Sequence, residues 1–171
     1  DTTTGSNNVG VGVSALVANT TGANNTAVGA FALGANTTAS SNSAVGAYAL
    51  RVNTTGVNNT AVGYAALYDN TTGQENTAIG KDTLANNTTA NGNTAVGYSV
   101  LSSNTTGAYN TGVGHGVLYD NVDGDYNVAM GYDALKNNTG GDQNVGLGYR
   151  SLQTCTTGGS NQGVGHYTLA N

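Results

Sequence analysis

Asparagine, a hydroxyl residue, a small residue, an aliphatic residue and glycine follow one another in the same order along the whole chain: "NTAVG" at residues 25–29, 59–63 and 93–97, and "NTAIG" at 76–80. The period is 17 residues without insertion or deletion, and Asn8, Asn25, Asn42, Asn59, Asn76, Asn93, Asn110, Asn127, Asn144 and Asn161 open ten repeats after a partial one over residues 1–7. Alternation of polar, small and aliphatic residues, closed by glycine, predicts a short strand of period two that ends in a turn. Helix is disfavoured, because Asn, Gly and Thr dominate each repeat and a glycine at one fixed place weakens any helix by about 1 kcal/mol.

With the opening asparagine as position 0, glycine stands at position 4 in every repeat, as at Gly29, Gly46 and Gly63. Leucine stands at position 8, as at Leu33, Leu50 and Leu67. Position 3 takes only Val, Ile, Met or Leu, and position 2 only Ala or Gly. Position 11 is Asn until the last full copy, where Cys155 replaces it in the manner of a ladder substitute. All thirteen charged residues fall at positions 5, 6, 9, 10, 13, 15 and 16, columns therefore expected to face water.

Identical units this short cannot each bury a face alone, so they stack. The expected fold is all-β: one domain over residues 1–171, a parallel β-solenoid of ten coils, each a single repeat. At about 4.8 Å per coil it is a rod of roughly 48 Å. Leucine at position 8 and the aliphatic at position 3 are expected to form two inner columns. The asparagines, among them Asn25, Asn42, Asn59, Asn76 and Asn93, are expected to bond to their counterparts in the coils above and below. Glycines at positions 4 and 14 are expected to supply backbone angles that other residues avoid.

If position 3 points inward, position 2 points outward, since strand neighbours alternate. Its restriction to Ala and Gly then calls for a second surface close by, and the thin core calls for lateral association. A homo-oligomer is expected. The alternative is a flattened coil that packs position 2 against its own opposite wall. Asp1 and Asn171 both fall at position 10, mid-repeat, which reads as a piece of a longer fibre.

Composition narrows the function. Only 8% of residues are charged, the net charge is −5, and four basic residues are spread thinly, so there is no footprint for a phosphate backbone and nucleic acid is not an expected partner. No apolar run is long enough to span a bilayer as a helix, so membrane insertion is not expected. The chain has no proline, as continuous backbone pairing requires.

"NTAVGYAAL", "NTAVGYSVL" and "NTTG" resemble the repeats of long phage tail fibres and of bacterial surface adhesins, in particular the head repeats of trimeric autotransporter adhesins. The resemblance covers the whole chain. It implies a left-handed parallel β-roll packed side by side as a trimer, with residues 25–29 and their copies as the inner strand.

Candidate chemistry is sparse. His115 and His166 share position 5 three coils apart, about 14 Å along the axis, too far for one site. Asp120, Asp123, Asp125 and Asp142 are a weak candidate for Ca²⁺, and the helix-loop-helix calcium pattern fails at Tyr119. No other cofactor is expected. All ten tyrosines fall at positions 5, 6, 9 and 16; Tyr64, Tyr98, Tyr132 and Tyr149 are the candidate recognition surface, for a sugar face or a partner protein. The plainer account is that rings of neighbouring coils stack, as Tyr132 over Tyr149. Asn19, Asn53 and Asn104 match the glycan acceptor pattern, which the ladder generates by itself.

The expected function is that of a non-enzymatic structural and adhesive segment of an extracellular fibre, on a virion or cell surface, with a host receptor or glycan as partner. One rival is an ice-binding solenoid using Thr20, Thr37, Thr54, Thr71, Thr88 and Thr105; another is a self-assembling extracellular filament subunit.

Overall fold

The computed structural model describes residues 4–169, so the mid-repeat ends Asp1 and Asn171 lie outside the described residues. The fold is an all-β parallel solenoid. Among the described residues ten strands follow in sequence: β1 (Val9–Val11), β2 (Thr26–Val28), β3 (Ser43–Val45), β4 (Thr60–Val62), β5 (Thr77–Ile79), β6 (Thr94–Tyr98), β7 (Thr111–His115), β8 (Val128–Tyr132), β9 (Val145–Leu147) and β10 (Gln162–Val164). They form one sheet in chain order. Each position pairs with its own copy one coil away, as Ala27 with Ala44 and Val62 with Ile79.

Pairing continues outside the sheet. Phe31 N–H donates backward to Val13 O at 2.8 Å, Leu33 N–H forward to Ala49 O at 3.0 Å, and Thr54 N–H forward to Thr71 O at 3.0 Å. Two turns lie within a coil, closed by Ala32 N–H to Gly29 O and Asn36 N–H to Leu33 O. A backbone bonded upward and downward around its perimeter has no place for a residue lacking its N–H, the physical basis for the absent prolines.

Closing a coil in 17 residues requires sharp local curvature. Among the described residues other than glycine, positive φ occurs only at positions 6, 8 and 16, for example Tyr48 (62°), Leu50 (49°) and Asn58 (60°). Glycine at position 4 has φ of 123° to 137°. A Cβ on Gly63 would also lie 2.6 Å from the carbonyl carbon of Gly80, so stacking and backbone angle both demand glycine there. Position 14 differs from expectation. Its glycines are not among those with positive φ, and Ala39 and Ala90 occupy it buried. Small size is the requirement: a Cβ on Gly56 would approach Gly73 O to 2.2 Å.

Leu33, Leu50, Leu67 and their copies through Leu135 are fully buried. The rest of the interior reverses the expectation. Position 2 points inward: Ala27, Ala44, Ala61, Ala78 and Ala95 are fully buried. Position 3 points outward, with Val45, Val62, Ile79 and Met130 exposed by 41%, 37%, 40% and 53%. Volume decides it. Leucine from the opposite wall fills the narrow coil, leaving room on the strand side for a methyl group at most. Gly112 makes this visible, because a Cβ there would meet Val100 Cγ1 at 2.5 Å. The flattened coil is thus the correct account of position 2.

Two buried asparagine columns tie the coils together. Asn59 N–H and Nδ2 both donate to Asn42 Oδ1, Nδ2 also donates to Gly73 O at 2.8 Å, and Asn59 Oδ1 accepts from Asn76 N–H. Asn25, Asn42, Asn76 and Asn93 make the same set of backbone contacts. At position 11, Asn53 Nδ2 donates to Asn36 Oδ1 and to Gly56 O. Cys155 preserves half of this pattern, its Sγ donating to Gly158 O at 3.4 Å. It has no second donor, and Asn138 Oδ1 one coil earlier is buried without a partner.

Candidate functional site

The variable columns 5, 6 and 9 run along one edge of the solenoid, where the sheet hands over to the first turn, and carry most of the rings and cations. In column 5 the rings face one another. Tyr98 and His115 have centroids 5.0 Å apart, His115 and Tyr132 4.8 Å, Tyr132 and Tyr149 5.3 Å, Tyr149 and His166 5.1 Å, all within 19° of parallel. Lys81 extends the column, its Nζ 5.8 Å from the Tyr64 centroid and 5.3 Å from that of Tyr98. A hydrogen bond to Asp82 is the main cause that raises the Lys81 pKa, so the ammonium stays charged between the rings.

The stack has a chemical consequence. Faces that cover one another are closed to a sugar, and Tyr98, Tyr132 and Tyr149 present edges and hydroxyls instead. Of the two accounts of this surface, the stacking of rings from neighbouring coils, as Tyr132 over Tyr149, is the one seen. His115 and His166 lie in one continuous column but with two tyrosines between them.

Toward the C-terminal half the edge holds a buried charge. Asp133, at position 6 and expected to face water, is only 4% exposed; Lys136 Nζ stands 3.7 Å and Arg150 Nε 3.9 Å from its carboxylate. Glycine at position 116 leaves it room, since a Cβ there would lie 2.5 Å from Asp133 Oδ1. Arg150 also donates to the Tyr167 hydroxyl at 3.0 Å, the first cause of its raised pKa. Desolvation is the first cause that raises the Tyr149 pKa.

Toward the N-terminal half the same edge is built differently. Phe31 and Tyr48 stack at 5.5 Å and 4°, Tyr64 stands edge-on to Tyr48 at 82°, and Arg51 lies 5.5 to 5.8 Å from the centroids of Phe31, Tyr48 and Tyr68. Arg51 donates to the Tyr68 hydroxyl. With Tyr64 these side chains line an open cleft of about 450 Å³. Of the five, only Tyr64 was a sequence candidate. Wrapping the sequence at 17 places Phe31, Tyr48, Arg51 and Tyr68 in columns 6 and 9 of adjacent coils, a signal that position-by-position reading passes over.

The four aspartates are not brought together as ligands. Asp125 Oδ1 accepts from Ala108 N–H at 2.7 Å and Asp142 Oδ1 from Asp125 N–H at 2.8 Å. Ser40 and Asn91 serve in the same column. Among the described residues no group of three or more His, Cys, Asp or Glu is placed to hold a metal ion, and the Ca²⁺ candidate at Asp120, Asp123, Asp125 and Asp142 is corrected accordingly. Asn19, Asn53 and Asn104 are buried with their amides bonded inward, which closes them to glycosylation in the folded rod. The threonine column of the ice-binding rival lies off the sheet. Thr54, Thr71, Thr88 and Thr105 each donate their hydroxyl to the next coil's backbone carbonyl.

No protein-family model, curated protein or solved structure matches the chain.

Proposed function

We propose that the chain is a non-enzymatic structural and adhesive segment of an extracellular fibre, of the phage tail fibre or bacterial surface adhesin type. In this reading copies associate side by side as trimers through the outer face of the sheet. The left-handed coil and trimeric packing implied by the sequence resemblance belong to the same proposal.

One observation carries it: position 3 is exposed or half-buried in the single chain, never buried, yet is aliphatic in every repeat. An exposed column free to vary would collect polar residues, as columns 10 and 13 do. With the residues at positions 1 and 5 beside it, the face is roughly 48 Å by 16 Å, about 770 Å². That is close to the roughly 800 Å² per partner of a stable interface. Three copies of this face turned toward a common axis cover one another's apolar, repeating surface, and the asparagine ladders supply axial stiffness. Sedimentation equilibrium on the purified chain is expected to return three times the chain mass, and Val62→Asp together with Val96→Asp to return monomer. A wild-type monomer at every concentration would remove the side-by-side association.

A second reading has its own support. The outer face presents threonine at position 1 in five repeats beside an aliphatic residue at position 3, as in Thr60 and Val62, at the coil spacing of about 4.8 Å. Regular methyls and hydroxyls on a flat sheet suit an ice surface. Thermal hysteresis from a monomeric rod, lost in Thr60→Lys, would favour this reading over the fibre.

A further inference from the structure

We propose that the cleft at Arg51 is a binding site for a carboxylate-bearing sugar unit. The starting point is a charge without a counter-charge. Among the described residues Arg51 takes part in no ion pair, and its guanidinium makes one hydrogen bond, to the Tyr68 hydroxyl. A guanidinium has five N–H donors. Arg150, at the same edge of the rod, has both a tyrosine hydroxyl and the Asp133 carboxylate.

The fold does not call for this cluster. In the coils that follow, columns 6 and 9 hold Asp82 and Ala85, then Ser99 and Ser102, and the turn closed by Asn53 N–H to Leu50 O in the Arg51 coil recurs there as Asn87 N–H to Leu84 O and Asn104 N–H to Leu101 O. Five large side chains gathered over three adjacent coils are therefore an addition to the scaffold, and they line an open cleft of about 450 Å³. That volume lies within the range of small-ligand sites.

The lining selects the ligand class. Arg51 supplies a planar fork matched to a carboxylate, where a phosphate dianion in a chain of net charge −5 would call for more than one cation. The tyrosines that line the cleft, Tyr48, Tyr64 and Tyr68, carry phenol groups, which donate to and accept from the hydroxyls of a pyranose. A hexuronate and a sialic acid share this chemistry. The site does not depend on the fibre reading: binding by dispersed monomeric rods would count against the fibre and leave the cleft standing.

The test is ligand-observed NMR and calorimetry on the full chain with three probes: methyl β-glucuronide, the methyl α-glycoside of N-acetylneuraminic acid, and neutral methyl β-glucoside. Saturable binding of one acidic probe is expected near roughly 1 mM, ordinary for a single sugar unit. The neutral probe is expected to bind at least about tenfold more weakly, and Arg51→Gln to lose at least about tenfold. Arg150→Gln is the control and leaves affinity unchanged. Should Arg51→Gln lower the melting temperature, Phe31→Ala and Tyr68→Phe replace it, with weaker binding expected in both. No saturation by either acidic probe up to roughly 50 mM, or equal affinity in Arg51→Gln and wild type, overturns the proposal.

Discussion

Among the described residues, twenty-eight other than glycine have positive φ, all at positions 6, 8 and 16 of the repeat. Left-handed backbone costs an L-residue about 1–2 kcal/mol, and more when the side chain branches at Cβ. None of the twenty-eight is Val, Ile or Thr, although those residues crowd positions 1, 3, 12 and 13. Leucine at position 8 thus has two causes: it fills the coil, and it is unbranched at Cβ where φ is near 50°. That exclusion was legible in the columns; its meaning needed the backbone. Cys155 is the clearest single-residue test. Cys155→Asn restores a donor to the orphaned Asn138 Oδ1 and is expected to stabilise the chain by about 1 kcal/mol. For a chain of this size that raises Tm by roughly 2–4 °C, measurable by scanning calorimetry.

A strand here is three to five residues long and has meaning only against its neighbours. Alternation along Thr-Ala-Val made two faces legible, and hydrophobicity alone favours valine inside. Packing decided otherwise, because the inner face meets the leucine column and position 7. Where position 7 enlarges to Val100 and Val117, position 2 shrinks to Gly112. Gly112→Ala is expected to cost about 1–3 kcal/mol in denaturant unfolding, as overpacking does. Adding Val100→Ala is expected to recover at least about 1 kcal/mol of that loss, a coupling that a double-mutant cycle reads directly. Additive effects would mean that the two side chains do not compete for one space.

The whole rod is close to one-dimensional, since each coil bonds only to the coils before and after it. Its stability is then the sum of coil terms and interface terms. Deleting residues 59–75, one full repeat, joins Asn58 to Asn76 in register, and a cooperative melt with the same β-type circular dichroism is expected. Deleting residues 59–67 instead displaces the asparagine and glycine columns by half a coil and is expected to abolish that melt. Survival of the second deletion with an unchanged melting temperature would contradict strict column stacking.

The sequence by itself determined the period, the parallel stacking and the columns held to one residue type, because an exact repeat can bury its apolar and amide groups only against copies of itself. The resemblance to fibre repeats rests at that same level. Tertiary structure decided which face of the strand is the interior and how Phe31, Tyr48, Arg51, Tyr64 and Tyr68 converge on one cleft. Those outcomes depend on the cross-section of the coil. A leucine crossing a narrow interior leaves space for a methyl and not for a valine, and a turn at positive φ sends columns 5, 6 and 9 to the same edge. Neither distance is written in the order of residues along one repeat.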